Sequence, residues 1–273
     1  MPTKMRAQMS NASVRPPAVA GLFYPDDPVE LQETVSSYLA HAAPPSLPGT
    51  AIGFIVPHAG YIYSGSTAAV AYRTLAERKD VRRIVLIGPS HRVYLEGIAI
   101  PKADVFATPL GRVPIDAELK AIVRSLPNVV ESDDPHRFEH SLEVQLPFLQ
   151  VIFGNFTLLP LVAGRASGAQ VAAVLAEAAQ DRNTLILASS DLSHYLTYER
   201  AQQADAVTNA AILRRDPTLT GEQACGAVPI NGLLHLARDR GYEVKELARC
   251  NSGDTAGDRS RVVGYGAYAV YAA

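Results

Sequence analysis

Three histidines in this sequence share one arrangement. Each follows an apolar run within a few residues. AIGFIV (51–56) leads into PHAGYIYSG and His58, RRIVLIG (82–88) into PSHR and His91, and TLILASS (184–190) into DLSHY, which carries Asp191 and His194. Imidazole is the commonest metal ligand and the side chain whose proton moves most readily near neutral pH. One such histidine alone is usually an ordinary polar loop residue. Three at one edge of a sheet point to a shared site, because ligands of open α/β sheets bind beyond the carboxyl ends of the strands.

Other side chains add to this set. Cys225 lies in TGEQACGAVPINGLL, where Gly226 and Pro229 suggest a turn feeding a helix. A thiol at a helix N-terminus can fall from a pKa of about 8.5 into the range of roughly 3.5 to 7.5. It then serves as a nucleophile or a metal ligand; the alternative is a buried structural cysteine. In DDPHRFEHSLEVQLP, His140 and Glu143 stand at i and i+3 of an expected helix and would share a face. Either could be a ligand, an orienter or an acid/base, and for Glu143 a solvated carboxylate is an equal alternative. His136 and Glu139 are expected in solvent, as is His41, and His235 falls mid-helix. The loop NSGDTAGDRSR (251–261) could offer backbone N–H groups and Arg259 or Arg261 to an anion. A plain surface hairpin is the simpler reading of it.

The elements that must position these residues follow from the hydrophobic pattern. AIGFIV, RRIVLIG, FTLLPLV (156–162) and TLILASS are continuous apolar runs, as expected of strands buried on both faces. Helices are expected near 65–78, 116–125, 141–152, 169–180 and 198–214, with another starting near Cys225. Asp26 and Asp27 before Pro28 mark a helix start, with Leu31, Val35 and Leu39 at helical spacing after it. Leu95 to Pro114, broken by Pro101, Pro109 and Gly111, reads as a hairpin excursion. VVGYGAYAVYA reads as a final strand. Strands alternating with helices imply an α/β fold, one domain over 14–273 with a central, mostly parallel or mixed sheet flanked by helices. Residues 1–13 read as a disordered leader.

Composition limits the function classes. Of 273 residues, 48% are hydrophobic and 19% charged, with a formal net charge of -2, so there is no basic footprint for nucleic acid and no polybasic run for anionic lipid. No stretch reaches the roughly 18 consecutive apolar residues of a membrane span. Two cysteines and no signal-peptide pattern lead to the expectation of a cytoplasmic, reducing location. The sequence has no GxSxG, P-loop, CxxC, HExxH or GxGxxG after the first strand. This weakens the serine hydrolase, NTPase, disulfide-redox, metalloprotease and dinucleotide-dehydrogenase readings.

RPPAVAGLFYP, PHAGYIYSG, IGPSH, EHSLEVQLPFL, SSDLSHY, ACGAVPI and NSGDTAGDRSRVVGYGAY resemble the successive blocks of the Memo family, in family order from about residue 14 to the end. Bacterial and archaeal members go by the name of AmmeMemoRadiSam system protein B. The resemblance implies a fold similar to the class III extradiol ring-cleaving dioxygenases, which are non-haem Fe(II) enzymes. It implies that His58 and His91 match the family's two metal-binding histidines and Cys225 its third ligand. His194 matches the pocket histidine that acts as acid/base in the ring-cleaving relatives, and Asp191, His140 and Glu143 match other pocket positions. Fe(II) is the first cofactor implied. A thiolate in place of the relatives' carboxylate also suits Cu or Zn. The leading functional expectation is a dioxygenase-like oxidoreductase. Its alternatives are a non-catalytic module that captures a peptide or metabolite in the same pocket, a zinc-dependent hydrolase, and a partner of a radical-SAM protein. A homo-oligomer is compatible with each.

Overall fold

The computed structural model describes residues 12–273. The expected leader lies outside these residues except for Ala12 and Ser13. Ser13 is tied down, its N–H and Oγ donating to the Asp104 carboxylate at 3.0 and 2.9 Å.

The chain opens with the short strand β1 (Val14–Arg15) and the helix α1 (Pro28–His41). The helix starts where its sequence signals it. The Asp27 side chain accepts from the N–H groups of Val29 and Glu30, and Pro28 takes the first turn, where a missing N–H costs nothing. Then come β2 (Thr50–Val56), α2 (Tyr61–Leu75) and β3 (Arg83–Pro89), followed by the short strands β4 (Ile98–Ile100), β5 (Val105–Thr108) and β6 (Gly111–Pro114). Next are α3 (Ala117–Arg124), β7 (Val129–Glu131), the single turn α4 (Asp134–Arg137) and a 3-10 turn (Glu143–Gln145) running into α5 (Leu146–Phe153). The remainder is β8 (Thr157–Ala163), α6 (Gly168–Ala178), β9 (Thr184–Ser189), β10 (His194–Leu196), α7 (Tyr198–Leu213), α8 (Ala227–Arg240) and the hairpin of β11 (Glu243–Asn251) with β12 (Val262–Ala272).

Nine strands make one mixed sheet in the order β10-β12-β2-β9-β3-β8-β4-β7, with β11 also paired to β12. At its centre β2, β9, β3 and β8 are parallel. β12 joins β2, and β4 joins β8, antiparallel. Successive strand residues point to opposite faces, so a run apolar at every position feeds two cores. Phe54, Ile84, Leu86 and Leu187 pack with Leu31, Tyr72, Leu75 and Phe148 of α1, α2 and α5. Ile55, Val85, Ile87 and Ile186 pack with Val171, Leu175, Ile230 and Leu233 of α6 and α8. Cutting any of these leucines or isoleucines to alanine costs about 2–5 kcal/mol.

Two expectations differ in detail, and one strand goes beyond them. The helix expected from about 65 begins at Tyr61, which leaves only Pro57 to Gly60 between β2 and α2. The helix expected from 141 begins at Leu146. Its approach spends donors elsewhere: the Ser141 N–H goes to Glu139 Oε1 at 2.9 Å and the Ser141 hydroxyl to Pro89 O at 3.3 Å. His140 thus lies outside any helix and does not share a helical face with Glu143. β11 carries no clean sequence alternation because its register against β12 shifts between Glu246 and Ala248. Among the described residues no helix is long and apolar enough to cross a membrane.

Candidate metal centre

Parallel strands all end on one edge of the sheet, and this is what gathers the histidines. β9 lies between β2 and β3 and pairs Ser189 with Val56. The loops after β2 and β9 therefore run side by side, and the His58 N–H donates to Asp191 Oδ1 at 2.7 Å. Cys225 arrives from the opposite direction, just before α8. The Gly226 N–H donates to Ser190 Oγ at 2.8 Å. A Cβ on Gly226 would sit 2.6 Å from both Ser189 O and Ser190 Cβ, so glycine lets this backbone close onto the strand end. Cys225 Sγ comes to rest 3.2 Å from His58 Nε2. One ligand atom from each of His58, His91 and Cys225 lies within 4.8 Å of the others.

Hydrogen-bond accounting sets both ring tautomers. Ser189 Oγ gives its only proton to Ser141 O at 2.6 Å and receives Gln145 Nε2–H at 2.8 Å. It must therefore accept from His58 Nδ1 at 3.0 Å. The proton of neutral His58 sits on Nδ1, and the Nε2 lone pair faces the thiol. His91 Nδ1 likewise donates to Glu139 Oε1 at 2.9 Å, which frees its Nε2. This carboxylate-to-histidine arrangement is the usual outer support of a metal-binding imidazole.

Glu139 is buried and also accepts from the N–H groups of His91 and Ser141, at 2.7 and 2.9 Å. Burial pushes its carboxyl up, but the bonds from His91 and Ser141 outweigh this and hold it at about 2. The expectation that Glu139 and His136 are solvated is thereby corrected, both being 1% exposed. The single turn of α4 points His136 inward, with Nε2 3.1 Å from Ala99 O. Burial drives His58 down to about 3, helped by repulsion from His91, and His140 down to about 4. At neutral pH both imidazoles have free lone pairs. The thiol behaves contrary to expectation. Burial, with Asp191 adding to it, raises Cys225 to about 12, and the Gly226 amide counteracts this only in part. Without a cation, the thiol keeps its proton. The Nε2 atoms of His58 and His91, left free by their Nδ1 bonds and close to a thiol, fit a transition-metal ion. His91, Glu139 and His140 form a second close group, but both Glu139 oxygens already accept N–H donors, so Glu139 orients rather than binds.

The remaining expected residues divide. His140 stacks on His91 with ring centroids 4.7 Å apart, meets His58 edge-on at 5.3 Å, and has Phe23 behind it at 4.8 Å. His194 is held through Nδ1 to Leu192 O at 2.8 Å. Asp191 is buried, which raises its carboxyl, and it supports the His58 amide. Glu143 stands apart from the cluster. It pairs with Arg15 and accepts from Ala18 N–H, Val19 N–H and the Tyr24 hydroxyl at 2.7, 3.0 and 2.5 Å. It fastens the segment that carries Phe23. Sequence reasoning missed Glu139, Ser189 and Gln145. For Glu139 and Gln145 the available signal was the density of polar residues among apolar ones in EHSLEVQLP.

The cluster lies in a cleft of about 1210 Å³, with His140, His194 and Asp191 beside His58, His91 and Cys225, and Tyr195 and Arg261 also lining it. Comparison with known proteins matches residues 15–269 to the model for the Memo-like protein family. A MEMO1 family protein of Ignicoccus hospitalis is 37% identical over 278 residues, covering 93% of this chain and 97% of the relative. The MEMO1 family protein Ta0237 of Thermoplasma acidophilum is 39% identical, covering 92% of this chain and 96% of the relative. Among solved structures, the uncharacterized protein JW3007 from Escherichia coli K12 shares the fold, with a TM-score of 0.52 and 13% identity over 79% of this chain and 98% of that chain. On near-complete coverage by the family model and by these relatives, the chain belongs to the Memo family.

Proposed function

We propose that this chain is a metalloprotein that holds one transition-metal ion between His58, His91 and Cys225 and acts as a dioxygenase-like oxidoreductase on a small organic molecule. Fe(II) is the first choice of ion. The supporting observation is the pair of fixed tautomers: Ser189 and Glu139 each take an Nδ1 proton, which leaves both Nε2 atoms free beside a thiol. Two imidazoles and one anionic donor leave positions open for substrate and dioxygen, which is the chemistry such an ion supplies.

The chain's own residues do the rest. With its Nδ1–H donating to Leu192 O, His194 keeps its Nε2 unprotonated in the neutral ring, and in the cleft wall it is placed to take a proton from a substrate hydroxyl. His140 is neutral, its Nδ1 is buried 3.4 Å from Glu139 Oε1, and with Phe23 it forms an aromatic wall of the cleft. Asp191 keeps the His58 loop in place through its amide. Glu143 acts at one remove, through the Phe23 segment. The second reading is a zinc-dependent hydrolase, favoured by the softness of the Cys225 donor. Capture of a peptide or metabolite without turnover would use the same cleft.

Metal content is the test, measured on protein purified anaerobically beside His58→Ala, His91→Ala and Cys225→Ala. Near-stoichiometric iron, absent from all three variants, is expected, and it would justify oxygen-consumption assays with phenolic substrates. Stoichiometric zinc would move the second reading ahead. A parent that takes up none of Fe(II), Cu(I) or Zn(II) would refute the metalloprotein reading and leave a binding cleft.

A further inference from the structure

We propose that Arg261 forms an oxyanion-reading subsite in the cleft, and that the molecule accepted there carries a carboxylate or phosphate group. The proposal rests on the reading above only in taking the same cleft as the ligand site.

The loop over 251–261 carries two arginines, and the structure separates them. Arg259 is spent on the fold. Its Nε donates to Gly253 O at 3.4 Å, and its guanidinium lies 4.5 Å from the centre of the Tyr198 ring. The loop's amides close largely on the loop itself. Gly253 N–H goes to Asn251 Oδ1, Thr255 N–H and Gly257 N–H to Ser252 O, and Ser260 N–H to Asp258 Oδ1. Arg261 is different. It lines the cleft, and among the described residues it makes no hydrogen bond or ion pair. Its one contact of note is a ring: its guanidinium carbon lies 5.1 Å from the centre of Tyr195.

Tyr195 provides that ring from a costly backbone. Its φ is 59°, in the left-handed region that non-glycine residues avoid. Tyr195 sits where the register of β10 against β12 shifts between His194 and Leu196, and hydrogen bonds fix the residues before it. Leu192 N–H donates to Gly264 O and Gly264 N–H to Ser193 O, each at 2.8 Å, while the buried Asp205 accepts the Ser193 N–H at 3.0 Å. A strained residue held this firmly, next to His194 and in the cleft wall, needs a purpose, and its ring supplies one. The guanidinium carbon lies over this ring, and the five N–H donors of Arg261 make no hydrogen bond among the described residues. That planar fork matches a carboxylate or phosphate in two parallel bonds.

The neighbouring charges permit this. Asp191 is buried against the His58 amide and Asp258 accepts within its own turn. Of the cleft's other charged side chains, Glu222 and Arg92 make no ion pair, so no carboxylate of the cleft is bonded to Arg261. A ligand that fills this cleft of about 1210 Å³ has room to place one end at the histidines and an anionic end on Arg261.

The test uses the full chain stripped of metal by chelator, titrated with benzoate and separately with inorganic phosphate, with affinity read by calorimetry and by the NMR shifts of cleft residues. At least one anion binds the parent, and which one binds names the ligand's anionic group. Arg261→Gln weakens that binding about ten-fold or more, as expected for losing charge-assisted hydrogen bonds. Tyr195→Gly, which relieves the backbone and removes the platform, weakens it less. Binding of neither anion by the parent would overturn the proposal, as would unchanged affinity in Arg261→Gln. An equal loss in Arg92→Gln would reduce the effect to general charge attraction and also overturn it. A parent that binds the anion through Arg261 yet never takes up metal would leave this inference standing while the metal reading fails.

Discussion

Replacing Glu139 with glutamine tests whether the buried carboxylate orients His91. The carboxylate receives three N–H groups, two on Oε1 from His91 Nδ1 and Ser141 and one on Oε2 from the His91 amide. A glutamine has one oxygen. If that oxygen takes the Oε1 place, its NH2 is set against the His91 N–H, where 2.7 Å now separates a donor from an acceptor. Two donors cannot share that distance, so the His91 backbone must move away from the cluster. A hydrogen bond to a charged group contributes about 1.5–3 kcal/mol. Loss of an outer partner of a metal-binding histidine typically lowers metal affinity about 10- to 100-fold. These two ranges agree, since ten-fold corresponds to about 1.4 kcal/mol. The assay is anaerobic competition against a chelator for Fe(II) and Zn(II), with thermal unfolding as a check on the fold. A second readout follows from acid–base linkage. Glu139 is held at about 2 against an ordinary 4.5, so its stabilisation is fully present above pH 4.5 and is lost as pH falls through about 2. The stability gap between parent and Glu139→Gln should shrink across that window. A folded Glu139→Gln protein with the parent's metal affinity would refute the reasoning.

Three further predictions concern the surroundings of the site. Gly226→Ala must push its Cβ against Ser189 O and Ser190 Cβ, so it should displace Cys225 and lower metal affinity with a smaller loss of stability, read by the same competition assay. Glu143→Ala strands the buried Arg15 and leaves the Ala18 and Val19 N–H groups and the Tyr24 hydroxyl without their acceptor, so it should cost about 3–5 kcal/mol in chemical denaturation. A large loss of metal affinity at unchanged stability in Glu143→Ala would instead place Glu143 in the centre itself. His136 is driven by burial down to about 3 from an ordinary 6.5. Only the unfolded chain takes up that proton between those values, so stability falls as pH drops from 6.5 towards 3, by up to about 1.4 kcal/mol per unit. His136→Phe should flatten this acid slope in denaturation curves taken across the window, and an unaltered slope would refute the assignment.

The legible part of the fold was the part with one dominant signal. AIGFIV, RRIVLIG, FTLLPLV and TLILASS are apolar at nearly every position, which only a strand covered on both faces tolerates, and all four lie at the centre of the sheet. The Asp27-Pro28 start of α1 could be read because capping is local chemistry. β11 was missed because its register shift breaks the two-residue alternation. The helix before Leu149 was placed too early, because Ser141 binds Glu139 and Pro89 rather than carbonyls one turn back.

The candidate site divides along the same line. That His58, His91 and His194 would meet could be read from sequence, since each follows a strand and parallel strands end together. The arrival of Cys225 beside His58, from 167 residues away, depended on family blocks and is physically a matter of Gly226 packing on Ser190. Glu139 and Glu143 show the limit most clearly. They lie four residues apart in one polar stretch, yet one steadies His91 and the other anchors Arg15 and the N-terminal segment. By itself the sequence determined the strands, the edge at which they end and the residue types carried there, because hydrophobic period and strand direction are properties of short segments. Only the tertiary structure decided which nitrogen of His58 and of His91 is free, which side chain supports each ring and which arginine of the 251–261 loop remains unpaired, because those depend on distances between segments that have no neighbourhood in sequence.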